Sequence, residues 1–185
     1  DYYPHVRIYQ NIGGSWSQIG NDIGGEAGKG YQGCSISLSS DGKTVAIGVS
    51  GHYIDSKLSG AHVRIYKLIS GNKWHQIGQD IYTNKIQYNP AELSLSSDGR
   101  RVAIGNSFCV YEFIGSNWSK IGDEIDVSGT GRVVSLSADG TIVAVSGGGV
   151  VTDGQVRIYK LNGTSWHQLG QDINGDYPSL FGRSI

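Results

Sequence analysis

The feature that most constrains this chain is that it repeats itself. Four stretches carry one pattern: a four-residue strand-like segment ending in tyrosine, then a tryptophan, an apolar residue with glycine, and an acidic residue with isoleucine. They are Val6-Arg7-Ile8-Tyr9 with Trp16, Ile19-Gly20 and Asp22-Ile23; Val63-Arg64-Ile65-Tyr66 with Trp74, Ile77-Gly78 and Asp80-Ile81; Phe108-Cys109-Val110-Tyr111 with Trp118, Ile121-Gly122 and Glu124-Ile125; and Val156-Arg157-Ile158-Tyr159 with Trp166, Leu169-Gly170 and Asp172-Ile173. The tryptophans stand 58, 44 and 48 residues apart. Between them runs a second pattern: Ile36 to Gly42 followed by Val45-Ala46-Ile47-Gly48, Leu93 to Gly99 followed by Val102-Ala103-Ile104-Gly105, and Val134 to Gly140 followed by Val143-Ala144-Val145-Ser146. Units of this length cannot bury an apolar face alone and must stack on their neighbours, so the repeat decides the architecture before any motif is weighed.

Each unit supplies four short β-type segments, in the first full unit roughly 34–39, 44–49, 62–68 and 74–78. Ile36 and Leu38 alternate with Ser35, Ser37 and Ser39, the period of two expected where one strand face is apolar and the other small or polar. Asp-Gly pairs at 41, 98 and 139 fall between two such segments, where a tight turn must reverse the chain. No stretch shows a helical period. Four strands per unit predict an all-β fold, a β-propeller of four-stranded antiparallel blades with about three and a half blades in this chain. A single β-sandwich is the alternative, but its strands would not ordinarily repeat one four-part sequence. The expected boundaries are 1–30 for the end of one blade, 31–82, 83–126 and 127–174 for three blades, and 175–185 for the start of the next. Ala46, Ala103 and Ala144 suit the narrow inner part of each wedge, and the tryptophans and tyrosines the wider outer part. Three full units fall short of the usual ring of about four to eight blades, so we expect another propeller segment or a second copy to complete it.

Composition narrows the function classes. Lys and Arg number 15 against 16 Asp and Glu, which gives no field for nucleic acid. No apolar run is long enough to be a helical membrane span. The chain has no methionine, so the sequence is expected to come from processing or from part of a longer chain. Cys34 and Cys109 make neither a disulfide framework nor a metal set, and each sits in an apolar strand context that favours separate buried thiols.

Phe181-Gly182-Arg183-Ser184-Ile185, Gly33-Cys34-Ser35-Ile36, the Ala-Ile-Gly segments at 46–48 and 103–105, and the Val-Arg-Ile-Tyr segments together resemble the FG-GAP type of β-propeller repeat known from integrin alpha chains. Gln32 stands where the pattern has Phe, Gly131 keeps only the glycine, Pro90 replaces even that, and the proline of the family name is missing throughout. The resemblance implies a propeller at the cell surface or outside the cell. Many such repeats hold calcium in an Asp-rich loop. Here each corresponding loop offers one carboxylate, Asp41, Asp98 or Asp139, too little charge for a strong hard-cation site, so no metal and no cofactor are expected.

The longest variable connection, Ser50 to Ala61, contains His52, Tyr53, Asp55 and Lys57, which together offer donors, an acceptor and an aromatic surface: a candidate recognition loop. His52 and Asp55 lack an identifiable nucleophile or metal partner, so catalysis is not the first reading. Arg7, Arg64 and Arg157 recur at one position and are expected to share a structural role, either bonding to a neighbouring blade or lying over the tyrosine layer. Asn117 and Asn162 head N-glycosylation triplets. The leading expectation is a noncatalytic extracellular or surface glycoprotein that binds protein or glycan or organises an assembly. The alternative is a carbohydrate-active enzyme or its substrate-positioning domain, which would need two converging carboxylates beside aromatic walls.

Overall fold

The computed structural model describes residues 5–24, 32–49, 52–54, 57–59, 61–82, 92–105, 107–125, 133–147, 154–176, 181–182 and 184–185. Every regular element among them is a β-strand. The first unit is an antiparallel pair, β1 (His5–Ile12) and β2 (Ser15–Gly24). The next contains β3 (Gln32–Leu38), β4 (Thr44–Val49), a separate hairpin of β5 (His52–Ile54) and β6 (Lys57–Ser59), then β7 (His62–Ile69), β8 (Lys73–Gln76) and β9 (Ile81–Tyr82). Its sheet runs β3-β4-β7-β8, with β9 also paired to β7. The third unit is β10 (Leu93–Leu95), β11 (Arg101–Ile104), β12 (Cys109–Ile114) and β13 (Asn117–Ile121), hydrogen-bonded in that order. The fourth is β14 (Val134–Leu136), β15 (Ile142–Gly147), β16 (Gln155–Asn162) and β17 (Ser165–Gln168), with β18 (Ile173–Asn174) returning to β16.

The architecture is therefore all-β and broadly propeller-like, built from successive antiparallel meanders of four or five strands. Five strands appear where four were expected because the outermost strand is broken. Gly78 (φ 72°) and Gly170 (φ 80°) adopt a backbone region that a side chain disfavours, so the chain swings out between β8 and β9, and between β17 and β18, before rejoining the sheet.

Successive units stack face to face through one interface used three times. Ile8 and Ile23 of the first unit pack with Val45, Ile47 and Trp74 of the second. Ala46, Val63, Ile65 and Ile81 of the second meet Leu93, Leu95, Val102, Ile104 and Trp118 of the third. Ala103, Phe108, Val110 and Ile125 of the third meet Val134, Val143, Val145 and Tyr159 of the fourth. The small alanine of each second strand lets the next sheet approach closely, and the tryptophan fills the space where the sheets diverge.

Polar bridges tie the same junctions. The Leu95 amide donates to Ser37 Oγ and the Leu136 amide to Ser94 Oγ, both at 2.9 Å. The small residues alternating along the first strands are thus acceptors for the neighbouring sheet. At the Asp-Gly turns, the Ser40 amide donates to the Ser97 carbonyl (3.0 Å) and the Ser97 amide to the Ala138 carbonyl (2.8 Å), linking three successive turns.

Two expectations need correcting. Ile36 and Leu38 lie exposed, whereas their counterparts Leu93 and Leu95 are buried. The apolar alternation is real, but among the described residues the first unit has no inner pair of strands to cover them. Trp16 is 71% exposed although the other tryptophans pack between units, because no described unit precedes it. Cys109 is a buried free thiol. The side chain of Cys34 lies outside the described residues.

Candidate functional site

Each sheet is a meander, so its strand connections divide between two ends. The first-to-second and third-to-fourth turns leave from one end. The second-to-third connections and the links between units leave from the other. The Asp-Gly end is closed by its own hydrogen bonds. Ser39, Ser96 and Ser137 hydroxyls donate to Asp41, Asp98 and Asp139 Oδ1 at 2.7, 2.7 and 2.6 Å. The same oxygens accept the amides of Lys43, Arg100 and Thr141 at 2.9, 2.9 and 3.0 Å. Asp139 is held down to about 2 by the Ser137 hydroxyl and by the amide and hydroxyl of Thr141. These carboxylates serve the turns. Among the described residues no group of three His, Cys, Asp or Glu could hold a metal ion.

The opposite end carries the variable connection. In the second unit this connection contains a two-stranded β-ribbon. β5 and β6 pair with His52 opposite Ser59, Tyr53 opposite Leu58, and Ile54 opposite Lys57. In the third unit the chain passes from β11 to β12 within four residues, and Phe108 takes a left-handed φ of 46° to make the turn. Register therefore brings His52, Tyr53 and Lys57 together on one ribbon. Asp55 lies outside the described residues. Asn117 and Asn162 are both exposed, each at a third-to-fourth strand hairpin on the far end of its unit.

The repeated arginines take their acidic partners within their own sheets and not in the next blade, and Arg7 and Arg157 also interact with the adjacent Tyr9 and Tyr159 of the tyrosine layer. Arg64 on β7 grips Asp80 with two parallel bonds, Nε to Oδ1 at 3.0 Å and Nη2 to Oδ2 at 2.9 Å, and Gln76 Nε2 donates to the same Oδ1 at 2.8 Å. Arg7, Asp22 and Gln18 repeat the arrangement, as do Arg157, Asp172 and Gln168. Burial opposes ionisation of Asp80, but the Arg64 and Gln76 bonds prevail and hold its carboxyl below the ordinary range. Arg7 and Gln18 hold Asp22 at about 2. The clamp fastens the third strand to the segment that rejoins the sheet after the outer-strand break. A sequence signal for it exists. The unit with Cys109 in place of Arg also has Lys120 in place of Gln and Glu124 in place of Asp, so all three members change together. Cys109 there donates its thiol to the Ser107 carbonyl at 3.3 Å.

No protein-family model matches the chain, and no curated protein matches it. Solved structures do. A candidate 6-phosphogluconolactonase from Bacteroides uniformis aligns with a TM-score of 0.64 and 18% identity, over 93% of this chain and 49% of its own. A second candidate 6-phosphogluconolactonase, from Bacteroides fragilis, aligns at 0.54 and 15% over 76% of this chain and 38% of its own. A hypothetical selenium-binding protein from Sulfolobus tokodaii aligns at 0.53 and 10% over 86% of this chain and 49% of its own. The chain thus spans about half or less of the length of these structures. At such identities the likeness concerns the fold alone, which is propeller-like.

Proposed function

We propose that the chain is a segment of an FG-GAP-type β-propeller that works outside the cell or at its surface as a noncatalytic platform binding protein or glycan. The observation that carries this reading is the ribbon formed by β5 and β6, an insertion at one unit where the third unit makes a tight turn. Stiff stacked sheets hold such an insertion at little entropic cost, so affinity comes from a few aromatic and polar contacts presented together. The repeated acids support the same reading, since Asp22, Asp80 and Asp172 are held by arginine, and Asp41, Asp98 and Asp139 by turn amides. The test replaces residues 51–59 with a short turn and compares wild type and variant on a glycan array and in crosslinking to surface proteins. Loss of a specific signal in a variant that still folds supports the platform. An unchanged signal overturns it. Mass analysis of native material before and after glycan removal reports whether Asn117 and Asn162 are modified, as an extracellular location predicts.

A second reading has support of its own. Two of the similar structures are described as candidate 6-phosphogluconolactonases, which favours a carbohydrate-active enzyme or its substrate-positioning domain, and the comparisons lean further toward this reading than toward the first. Hydrolysis of 6-phosphogluconolactone or of a glycoside panel by the purified chain, above the uncatalysed rate, would establish it.

A further inference from the structure

At each internal junction the tryptophan of one unit enters a notch at the outer-strand break of the unit before it. Trp74, Trp118 and Trp166 donate their indole Nε1–H to the carbonyls of Ile19, Ile77 and Ile121 at 2.9, 2.9 and 3.1 Å. The indole lies on the glycine that follows each carbonyl. A Cβ at Gly78 or Gly122 would stand 2.6 or 2.5 Å from the tryptophan Cδ1, and one at Gly20 would collide with Trp74. Outward of the notch the facing sheets diverge into a groove at the rim, and its lining differs from one junction to the next.

The groove between the second and third units gathers cations. Ile65 and Ile77 pack toward the third unit, whereas Leu68 and Trp74 pack toward the first. Side chains alternate along a strand, so Lys67, Lys73 and His75 project toward the third unit, with Lys67 directly opposite His75. Across the gap Phe113 and Trp118 pack toward the second unit and Ile121 toward the fourth. Lys120, between the two and opposite Tyr111, therefore faces the second unit. The three lysines and His75 are exposed, and among the described residues none of them is in a salt bridge. The acid that Lys67 influences, Asp41, has its Oδ1 committed to the Ser39 hydroxyl and the Lys43 amide. At the same positions Gln10, Ser15 and Ser17 face Gln76 in the first junction, and Glu112, Asn117 and Ser119 face Gln168 in the third. Phe113, half-buried, stands where the second and fourth units have Leu68 and Leu161, and its ring centroid lies 5.2 Å from that of Trp118.

We propose that this rim groove binds an acidic carbohydrate, whose sulfate or carboxylate groups meet Lys67, Lys73 and Lys120 while the apolar face of a sugar ring lies against Phe113. Lysines on both walls suit a narrow chain that enters between the sheets, and an aromatic wall gives a sugar ring apolar area to cover. A chain whose 15 Lys and Arg are offset by 16 Asp and Glu lacks the broad field that a nucleic acid would need. The groove lies at the rim, away from the ribbon, so the proposal is independent of what the ribbon binds.

Isothermal titration of the whole chain at low salt tests it, with a sulfated dextran oligosaccharide and an oligogalacturonate as probes and uncharged dextran and inorganic sulfate as controls. At least one acidic oligosaccharide is expected to bind, the tighter one identifying the acidic group, and neither control to saturate. Lys67→Gln with Lys120→Gln weakens binding about tenfold, and glutamine is what the other units carry at the position of Lys120. Phe113→Leu, which installs the residue of the second and fourth units, weakens it about threefold. Lys160→Gln removes the same charge from a face turned away from the groove and leaves affinity within about twofold of wild type. All of these are rim positions, and urea midpoints check that each variant folds. No binding of either acidic oligosaccharide, a loss in Lys160→Gln as large as in the groove variants, or equally tight binding of a single-stranded oligonucleotide or of phosphatidylserine vesicles would each overturn the proposal.

Discussion

Replacing Trp118 with alanine separates the interlocked junction from the mere presence of a tryptophan at that position in the repeat. Trp118 is 3% exposed, its ring centroid lies 5.2 Å from that of Phe113, and its indole N–H satisfies the Ile77 carbonyl. Truncating a buried tryptophan costs about 3–5 kcal/mol through lost burial and the cavity left behind. Stranding a carbonyl falls in the range of about 1–3 kcal/mol, part of which water entering the cavity recovers. A net loss of about 4 kcal/mol is expected, a large share of the stability of a domain this size. Trp16 occupies the same place in its own unit but is 71% exposed, so Trp16→Ala in a dilute, monomeric chain stays within about 0.5 kcal/mol of wild type. Urea unfolding followed by far-ultraviolet circular dichroism measures both, and an unchanged m-value confirms that the same cooperative unit unfolds. Equal losses for the two variants would refute the reasoning, because the repeat position alone would then set the effect.

The notch makes a parallel contrast: Gly71→Ala, with a left-handed φ in open space, costs about 1 kcal/mol, while Gly78→Ala adds the clash with Trp118 and costs about 2–3 kcal/mol or more in the same urea assay. Arg64→Ala removes the two-bond partner of Asp80, in a pair whose side chains are only 14% and 16% exposed, and loses about 2–3 kcal/mol, whereas Arg7→Ala, in a pair 44% and 41% exposed, lowers the urea midpoint much less. Acid weakens the fold through Asp22 and Asp139, whose folded values near 2 lie below the ordinary 3.8: their stabilisation is complete above about 4 and is lost as pH falls toward 2. Midpoints measured from pH 5 to pH 2 should therefore fall less steeply in Asp139→Asn than in wild type, and identical slopes would contradict the turn bonds.

Much of this fold is legible in the sequence because each unit is a separate reading of the same physics. Ala46 and Ala103 announce a close approach, and the Asp-Gly pairs place the turns, where Gly42, Gly99 and Gly140 all adopt φ near 67°. What local pattern does not reveal is which neighbour a residue meets. Ile36 and Leu93 occupy equivalent positions with opposite exposure, since burial at a junction belongs to the preceding unit and not to the strand itself. The role of the Ile-Gly pairs was hidden for a related reason, because a glycine that receives a distant indole is written like one that merely turns the chain. The ribbon from His52 to Ser59 was visible as an insertion, but its pairing was not, since the sequence Ile54-Asp55-Ser56-Lys57 carries no turn signal as clear as Asp-Gly. The Arg-Asp-Gln clamp was readable only by comparing units and noticing that one of them loses all three members together.

The central claim is that successive units lock by seating a tryptophan indole on the glycine notch of the unit before. With only four tryptophans in the chain, their indole N–H protons can be followed one by one by nuclear magnetic resonance after transfer to heavy water. In a dilute solution of the chain, the account predicts that the Trp74, Trp118 and Trp166 indole protons exchange slowly because each is bonded to a carbonyl of the preceding unit, and that Trp16 exchanges at the solvent rate. Four indole protons exchanging alike, or a protected Trp16 beside an unprotected Trp118, would contradict it.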